Sequence, residues 1–482
     1  MRAVVIGYGM AGARFAEQVR AHDPDGVSVE LTVLGAEPHP AYNRVLLSTV
    51  LAGGLGAGSI GLHDEYWAEK NQVDLRIDTP VTAIDRQARR VLLADRSTVD
   101  YDVLVLATGS RPWIPPIDGL TSPDVSAFRT VDDCARIVER ARAGAPVVVL
   151  GGGLLGLEAA RGLTGRGCAV TVLHPKTRLM ERHLDPGAAA VLRRAMEGLG
   201  IDIRLGTEMR RHLPGRGVEL SDGSVLPAEL VVVSAGVRAE DGLADAAGLA
   251  VDNGILVDDQ LRTGDPHIHA IGDCARHRSG DGGLVQPAWE QAAVLAALVT
   301  GADPDARYTG TPVVVRLKAR DIDLAALGDV HATVEDEDVE VIQVHDATRG
   351  RYAKLVLRED RVTGAILLGV PDAAATITQL YDSGAPAPSD RLALLLGRAL
   401  PGLPSVASPG DLPPTALICR CNTVSKSALV DAWHDGGGDV AGLVTATRAT
   451  TGCGSCKDAV ANLASWLTDG GSTSPRPVTR CA

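Results

Sequence analysis

Four cysteines in the C-terminal part of the chain have the type and spacing to hold a metal. They follow the pattern C-x-C-x31-C-x2-C and are Cys419, Cys421, Cys453 and Cys456. Four thiolates hold either structural zinc, which prefers two C-x2–4-C pairs, or a [2Fe–2S] cluster. The C-x-C pair therefore favours iron–sulphur, and the zinc alternative stays open at this point.

A glycine-rich turn near the N-terminus has the spacing that binds a dinucleotide. Three glycines form G-x-G-x-x-G after an apolar strand: Gly7, Gly9 and Gly12. Such glycines allow a tight turn and bring a pyrophosphate to the N-terminus of the following helix, here predicted to end near Ala21. The next predicted strand, Val29–Leu34, leads to Glu37, the candidate for the ribose hydroxyls. The same turn also closes βα units that bind nothing.

A second copy of this unit follows the apolar run Val147–Leu150. Its glycines are Gly151, Gly153 and Gly156. The strand after its helix ends in His174 and Lys176, without the acidic residue that binds the 2′-hydroxyl of NAD. These two residues and Arg178 could accept the 2′-phosphate of NADP or could form a solvated basic turn. The choice between NADH and NADPH therefore stays open.

Other segments bring polar groups to strand ends. Thr108 and Gly109 follow the buried strand Tyr101–Ala107, and Asp273 follows a strand at a glycine turn. A carboxylate there could hold the ribityl hydroxyls of a flavin, or it could belong to an ordinary Gly-Asp turn. Pro287 fits the first position of a helix, whose N-terminus could face an anionic flavin edge.

Composition excludes several classes of protein. The 482 residues are 45% hydrophobic and 22% charged, with a net charge of −13. That charge, without a basic stripe, disfavours nucleic acid as a partner, and no apolar run is long enough to span a membrane. The N-terminus resembles no signal peptide, so we expect a cytoplasmic protein with reduced thiols. We assign three scattered cysteines to core packing: Cys134, Cys168 and Cys274.

Specific motifs connect the chain with known families. Residues 1–305 resemble the flavoprotein pyridine nucleotide reductases with two dinucleotide domains, through the glycine turns, Ala107-Thr108-Gly109 and Gly272-Asp273. The segments Pro40–Ser48 and Arg178–Asp185 resemble assimilatory nitrite reductase large subunits and nitrate reductase electron-transfer subunits. Residues 415–470 are similar to [2Fe–2S] domains of the bacterioferritin-associated ferredoxin type.

The resemblance implies an α/β fold with two Rossmann-like dinucleotide-binding domains, an α+β domain and a small C-terminal [2Fe–2S] module. The expected FAD-binding parts are 1–115 and 241–305, flanking an NAD(P)-binding domain at 116–240. Short alternating runs at 312–317, 339–344, 352–357 and 363–368 predict an antiparallel sheet, followed by helices at 373–383 and 391–400, in an α+β domain at 306–400. A Pro/Gly-rich linker at 401–414, the cluster domain at 415–470 and a tail at 471–482 complete the prediction.

The resemblance also implies roles for individual residues. FAD is expected at Gly7, Gly9, Gly12, Glu37, Arg44, Ser48, Val81, Thr108, Gly109, Asp273, Trp289 and Glu290. The nicotinamide dinucleotide is expected at Gly151, Gly153 and Gly156. Glu158 lies near the nicotinamide in this interpretation, or is a packing residue on its helix. The four clustered cysteines are the expected ligands of the iron–sulphur cluster.

These assignments predict an oxidoreductase that passes electrons from NADH or NADPH through FAD and a [2Fe–2S] cluster to a catalytic subunit. Assimilatory nitrate reductase is the first candidate partner, and a separate nitrite reductase is the second. The sirohaem half of nitrite reductase is missing, so we do not expect this chain to reduce nitrite by itself. The alternatives are a redox- or iron-sensing regulatory flavoprotein and a diaphorase with zinc in the four-cysteine site.

Departures from the families refine the prediction. Disulphide reductases carry paired cysteines beside the flavin, whereas the corresponding segment Tyr42–Thr49 has none, which excludes a thiol relay there. Related ferredoxin reductases carry a Lys where this chain has Thr49, so a Lys pairing with Glu158 is not expected. Ala36 occupies the usual acidic position, which shifts the ribose assignment to Glu37.

Overall fold

A computed structural model describes residues 1–280, 283–319, 321–397, 409–419, 422, 424–450 and 456–470. The chain divides into two compact units, Met1–Ile322 and Asp323–Ala482. No helix in these described ranges is long and apolar enough to cross a lipid bilayer.

The first parallel sheet of the first unit carries the N-terminal glycine turn. Its five strands lie in the order Ile268–Ala270, Val103–Leu106, Arg2–Ile6, Glu30–Leu34 and Val73–Arg76. Ile6 pairs with both Leu34 and Leu106, which places three strand ends side by side. Alternate residues of the central strand enter different core clusters, so both faces are buried, as is typical of parallel sheets. Helices Met10–His22 and Val285–Thr300 pack together beside this sheet.

A second parallel sheet repeats this arrangement around the second glycine turn. Its strands lie in the order Asp202–Leu205, Ala169–His174, Pro146–Leu150, Leu230–Val233 and Val125–Ala127. Its accompanying helices are Val131–Arg140, Leu154–Gly165 and Pro186–Gly198. The two predicted strand–turn–helix units are therefore confirmed.

One predicted helix start was wrong by two residues. The helix expected to begin at Pro287 begins at Val285. Proline is tolerated anywhere in the first turn, because amide groups there have no partner within the helix. The position of a proline therefore limits a helix start without fixing it.

Smaller elements complete the first unit. Two three-stranded antiparallel sheets comprise Val81–Asp85, Arg90–Leu93 and Thr98–Asp100, and Met209–Leu213, Gly217–Leu220 and Val225–Leu226. Two further pairs are Ser110–Pro112 with Val237–Ala239 and Ile255–Leu256 with Ala275–Arg276. Short helices occupy Leu47–Leu51, Trp67–Lys70 and Gly242–Ala246, and the last strand is Val314–Ala319.

An antiparallel sheet dominates the second unit. Its strands are neighbours in the order Ile322–Gly328, Arg361–Leu368, Arg351–Arg358 and Glu340–Asp346. The sequence predicted three of these four strands and missed Ile322–Gly328. Helices Pro371–Ser383 and Arg391–Leu395 follow. The second was predicted to reach Leu400, but it ends at Leu395, and residues 398–400 lie outside the described ranges.

The described residues of the cysteine-rich segment form two paired strands and several helices. Strand Leu417–Cys419 pairs with Val424–Ser425. The helices are Lys426–Ala432, Val440–Thr447 and Lys457–Thr468. Residues Trp433–Gly437 form a π-type turn directly after the first of them. Most of the predicted linker and all of the predicted tail from 471 lie outside the described residues.

Candidate functional site

The glycines of the first turn fall into two groups. A Cβ on Gly7 would lie 2.2 Å from the carbonyl oxygen of Ala107, and one on Gly12 would lie 2.0 Å from that of Gly7. Gly9 differs, because its Cβ would meet no described atom within 4 Å. It also precedes helix Met10–His22 without a side-chain cap. Open space beside uncapped helix N–H groups is the surrounding that a pyrophosphate fits.

The second turn has the same geometry. A Cβ on Gly151 would lie 2.2 Å from the oxygen of Ser234, and one on Gly156 would lie 2.1 Å from that of Gly151. Gly153 again faces open space and precedes a helix without a side-chain cap. Two equivalent cradles therefore exist in one unit.

Asp273 lies beside the first turn. A Cβ on the preceding Gly272 would lie 2.9 Å from Ala11 Cβ, so the turn at Gly272-Asp273 lies close to the first glycine turn. The Asp273 carboxylate accepts hydrogen bonds from Ser110 Oγ at 2.8 Å and from Arg129 Nη2 at 2.7 Å. The strand end thus carries a charged group, bound to Ser110 and Arg129, next to the first turn.

Arg129 is a member of this group that the sequence analysis missed. Its Nη2 also donates to Ser110 Oγ at 2.6 Å, and its Nε is buried without a hydrogen-bond partner. Such an orphaned donor fits a polar ligand between these side chains. The sequence did contain a signal for this position: Arg129 directly precedes a capping box, in which Thr130 and Asp133 fix the start of a helix.

Glu37 and Arg44 form an ion pair that also contacts Arg129. Arg44 Nη2 donates to Glu37 Oε1, and Tyr42 donates to Glu37 Oε2 at 2.8 Å. The Arg44 guanidinium lies 4.8 Å from the centre of the Tyr42 ring, and its Nη1 donates to the Arg129 carbonyl at 3.4 Å. The structure therefore connects Glu37, Arg44, Arg129 and Asp273 through direct contacts.

Trp289 and Glu290 lie in helix Val285–Thr300. Trp289 Nε1 donates to the carbonyl of Met10 at 3.1 Å, which fixes this helix against the first turn. Glu290 accepts from Gln286 at 3.1 Å and from Thr311 at 2.6 Å. Trp289 thus holds the helix beside the first turn, whereas Glu290 joins its own helix to Thr311.

The remaining predicted residues occupy separate positions. Thr108 Oγ1 donates to the Glu240 carbonyl at 2.6 Å, and Gly109 follows with φ +73°. Ser48 lies buried in helix Leu47–Leu51, and its Oγ has no hydrogen-bond partner. Val81 opens a strand and packs against a core cluster. Glu158 is 4% exposed on helix Leu154–Gly165.

His174, a candidate for binding a phosphate, is occupied by contacts within the protein. Its Nδ1 accepts from the Gly152 amide at 3.1 Å, and its Nε2 lies 3.1 Å from Glu181 Oε2. With both ring nitrogens bound and the residue 7% exposed, His174 is not an exposed phosphate ligand. His174 therefore fits neither of the two interpretations, a phosphate ligand or a residue of a solvated basic turn.

Two of the four clustered cysteines are described. Cys419 ends a strand and is fully buried, and Cys456 is the N-cap of helix Lys457–Thr468. A thiolate at a helix N-terminus is stabilised by the helix dipole, which fits a metal ligand. Cys421 and Cys453 lie outside the described residues. Within the described ranges no group of three or more potential ligands converges.

The scattered cysteines are buried in the core. Burial raises the pKa of the Cys134 thiol to about 11 and also raises the pKa values of Cys168 and Cys274. Their thiols are therefore protonated at neutral pH and unreactive. This agrees with their predicted role in packing.

Three families match successive parts of the chain. Residues 1–292 match the family described as "Pyridine nucleotide-disulphide oxidoreductase". Residues 314–385 match the "Rubredoxin NAD+ reductase C-terminal domain", which the sequence analysis did not identify. Residues 417–465 match the "BFD-like [2Fe-2S] binding domain".

Several characterised proteins are similar over most of the chain. "Nitrite reductase [NAD(P)H]" from Bacillus subtilis (strain 168) is 35% identical over 95% of this chain and 56% of its own length. "Assimilatory nitrate reductase electron transfer subunit" from the same organism is 34% identical over 98% of this chain and 61% of its own length. The chain thus spans less than two thirds of these relatives. Rhodocoxin reductase from Rhodococcus erythropolis is 37% identical over 62% of this chain and 72% of its own.

Solved structures show the same fold. The chain is similar to that in the covalent putidaredoxin reductase–putidaredoxin complex, with a TM-score of 0.72 and 30% identity, over 80% of this chain and 94% of the other. The ferredoxin reductase for the CYP199A2 system from Rhodopseudomonas palustris gives a TM-score of 0.72 at 29% identity, over 80% and 96%.

Proposed function

Because this chain belongs to the pyridine nucleotide-disulphide oxidoreductase family, we propose that it transfers electrons from NAD(P)H to a separate catalytic subunit. It is an FAD-dependent NAD(P)H oxidoreductase, and its cofactors are FAD, a nicotinamide dinucleotide and a [2Fe–2S] cluster. One observation carries the proposal: two dinucleotide cradles of the same geometry occur in one chain with a [2Fe–2S] binding domain.

The first candidate for the acceptor is an assimilatory nitrate reductase, and the second is a nitrite reductase. The relative that aligns over 98% of this chain is named an electron transfer subunit of nitrate reductase. A relative of similar identity is named a nitrite reductase. A cytoplasmic location belongs to the same proposal, since thiolate ligands stay reduced there.

The chain supplies binding and orientation. The helix N-terminus behind Gly9 would hold the FAD pyrophosphate, and Arg129 with Asp273 would hold the polyol chain. The cradle at Gly153 would hold the nicotinamide dinucleotide, and the role of Glu158 near its ring stays a prediction. When bound, FAD accepts a hydride and passes electrons on singly, as a one-electron cluster requires. No protein acid or base is needed for this.

A thiol relay has no part in the proposal, although the family name refers to disulphides. The short helix Leu47–Leu51 follows Tyr42, in the segment where the sequence analysis expected paired cysteines in disulphide reductases. It carries Ser48 and Thr49 instead. Electrons would therefore leave through the cluster domain.

Cys421→Ser tests this route. The variant should lose iron and the iron–sulphur absorbance, and it should stop NADH-dependent delivery to the catalytic subunit. NADH should still reduce the bound flavin, which is measured as a loss of flavin absorbance. A reductive titration should also show fewer electrons taken up per chain than in the unmodified protein.

Cys481→Ser is the matched control, because it removes a cysteine outside the four-cysteine pattern. It should retain iron, spectrum and delivery. A Cys421→Ser protein that has lost its cluster and still supports NADH-dependent nitrate or nitrite reduction would contradict the proposal. Zinc instead of iron in the unmodified protein would contradict it as well.

A further inference from the structure

The edge of the second cradle lacks the acidic residue expected at its strand end. Strand Ala169–His174 ends in a histidine that is buried and bound to the cradle itself. In dinucleotide folds, a carboxylate at this place accepts hydrogen bonds from the adenosine ribose and repels a 2′-phosphate. A carboxylate from another segment could occupy that place.

Gly152, inside the second turn, anchors the segment that follows the strand. Its amide donates to His174 Nδ1 at 3.1 Å, and its carbonyl accepts from the Met180 amide at 3.0 Å. A Cβ at Gly152 would lie 2.8 Å from both the His174 ring and Leu179 Cδ2. The segment around Met180 is therefore held against the turn on its strand-end side.

Glu181 directly follows Met180 and is held by the same histidine. Since His174 Nδ1 accepts a hydrogen bond, the proton of the neutral ring is on Nε2, which donates to Glu181 Oε2 at 3.1 Å. The Glu181 side chain is 31% exposed, so it remains accessible to a ligand. Although burial raises the pKa of Glu181, hydrogen bonds from its own amide and from His174 lower that pKa below its usual value.

We propose that Glu181 takes the place of the missing strand-end carboxylate, binds the 2′-hydroxyl of the adenosine ribose and makes the chain prefer NADH over NADPH. His174 acts as a positioning residue, because its ring connects the glycine turn with the carboxylate. This inference rests on the proposed nicotinamide site.

Basic residues nearby would favour NADPH over NADH. Lys176 and Arg182 are exposed, and Arg178 is partly buried with an unpartnered Nε. Arg178 Nη2 makes only a long contact, 3.5 Å, with the Glu181 carbonyl. These cations would attract a 2′-phosphate, whereas an ionised Glu181 would repel it. The geometry favours Glu181, because His174 fixes it to the glycine turn.

Binding of two redox-inactive fragments tests the proposal. ADP-ribose and 2′-phospho-ADP-ribose are titrated calorimetrically into the full chain loaded with FAD. The unmodified protein should bind ADP-ribose about tenfold more tightly or better, because one charge-assisted hydrogen bond contributes roughly that factor. In Glu181→Gln this ratio should fall by about tenfold.

Glu181→Gln removes the negative charge of the side chain and keeps its hydrogen bond to His174. Glutamine can still accept a hydrogen bond from His174 Nε2, whereas Glu181→Ala cannot. Glu197→Gln, in an exposed pair with Arg193, is the control and should leave the ratio unchanged. Lys176→Gln should weaken the binding of 2′-phospho-ADP-ribose and leave the binding of ADP-ribose unchanged.

Two results would overturn the inference. One is an unmodified protein that binds 2′-phospho-ADP-ribose more tightly. The other is a Glu181→Gln protein with an unchanged ratio although both fragments bind. If neither fragment binds the unmodified protein, the proposed nicotinamide site itself fails, which is a distinguishable outcome.

Discussion

Individual glycines in the two turns have different physical roles. At Gly7, Gly12, Gly151 and Gly156, a side chain would collide with backbone oxygen atoms of the protein. At Gly9 and Gly153, nothing in the described protein occupies the space. The sequence pattern treats these glycines alike, whereas the structure shows that packing requires four of them and that the other two face open space.

Substitution should separate these roles. Gly12→Ala should destabilise the FAD-free protein by about 2 kcal/mol or more, because the new Cβ overlaps the Gly7 carbonyl. Gly9→Ala should lower its stability by less than ~1 kcal/mol, since φ −85° suits alanine. It should instead weaken FAD binding about tenfold or more. Urea unfolding and FAD titration measure the two effects, and equal destabilisation by both variants would disprove the assignment.

His269 should make stability depend on pH. It is 8% exposed, and burial lowers its pKa to about 4. The unfolded chain binds a proton near pH 6.5, so stability is complete above that pH and falls as pH drops from 6.5 toward 4. The loss should be ~1.4 kcal/mol per pH unit.

Urea unfolding between pH 4 and 7 checks this dependence. His269→Gln should flatten the profile by that slope, whereas His22→Gln, at an exposed helix end, should not. A His269→Gln profile parallel to that of the unmodified protein would refute the assignment.

At the scale of elements, the short helix Leu47–Leu51 depends on a residue far away in sequence. Arg166 Nε donates to the Leu51 carbonyl, and its Nη2 donates to that of Val50 at 3.4 Å. The helix also packs on Leu154–Gly165, where a Cβ at Gly162 would lie 3.4 Å from the Ala52 amide. A five-residue helix is not stable by itself, so these contacts hold it in place.

Arg166→Gln should therefore loosen this helix. We expect a loss of ~1.5–3 kcal/mol, because a charged donor is removed from carbonyl groups at the helix end. Hydrogen exchange of a peptide covering residues 47–54 should become faster. Arg193→Gln, in an exposed surface pair, is the control. Unchanged exchange in Arg166→Gln would show that packing alone holds the helix.

At the scale of the molecule, the two kinds of electron carrier belong to different units. Both glycine turns lie in Met1–Ile322, the unit that contains the oxidoreductase family match, and the cysteine pattern lies in Asp323–Ala482. If a single chain performs the whole transfer, NADH should reduce the cluster at a rate that is independent of protein concentration. Stopped-flow absorbance at several protein concentrations measures this.

A mixture of complementary variants provides the comparison. Cys421→Ser supplies a chain without the cluster, and Gly9→Ala, prepared without FAD, supplies a chain without the flavin. Cluster reduction in this mixture should rise with concentration, because it requires two chains to meet. A concentration-dependent rate in the unmodified protein would contradict transfer within one chain.

Much of the fold was predictable, because its signals are local. The strand–turn–helix units around Gly9 and Gly153 follow from short apolar runs and glycine spacing, and the structure confirms them. The antiparallel strands of the second unit were also predicted, apart from Ile322–Gly328. The two family matches at 1–292 and 417–465 agree with the expected cofactors.

By itself, the sequence determined the two glycine turns and the four-cysteine pattern, because backbone geometry and ligand spacing act over a few residues, and the resemblance carried by these motifs indicated the cofactors. Only the tertiary structure placed Arg129 on Asp273, 144 residues away, and Arg166 on Leu51, 115 residues away. It also showed that His174 binds Gly152 and Glu181 instead of facing a ligand. The register of two neighbouring parallel strands brings Gly152 and His174 together, whereas the contacts of Arg129 and Arg166 depend on how separate sheets and helices pack. No local pattern encodes either arrangement.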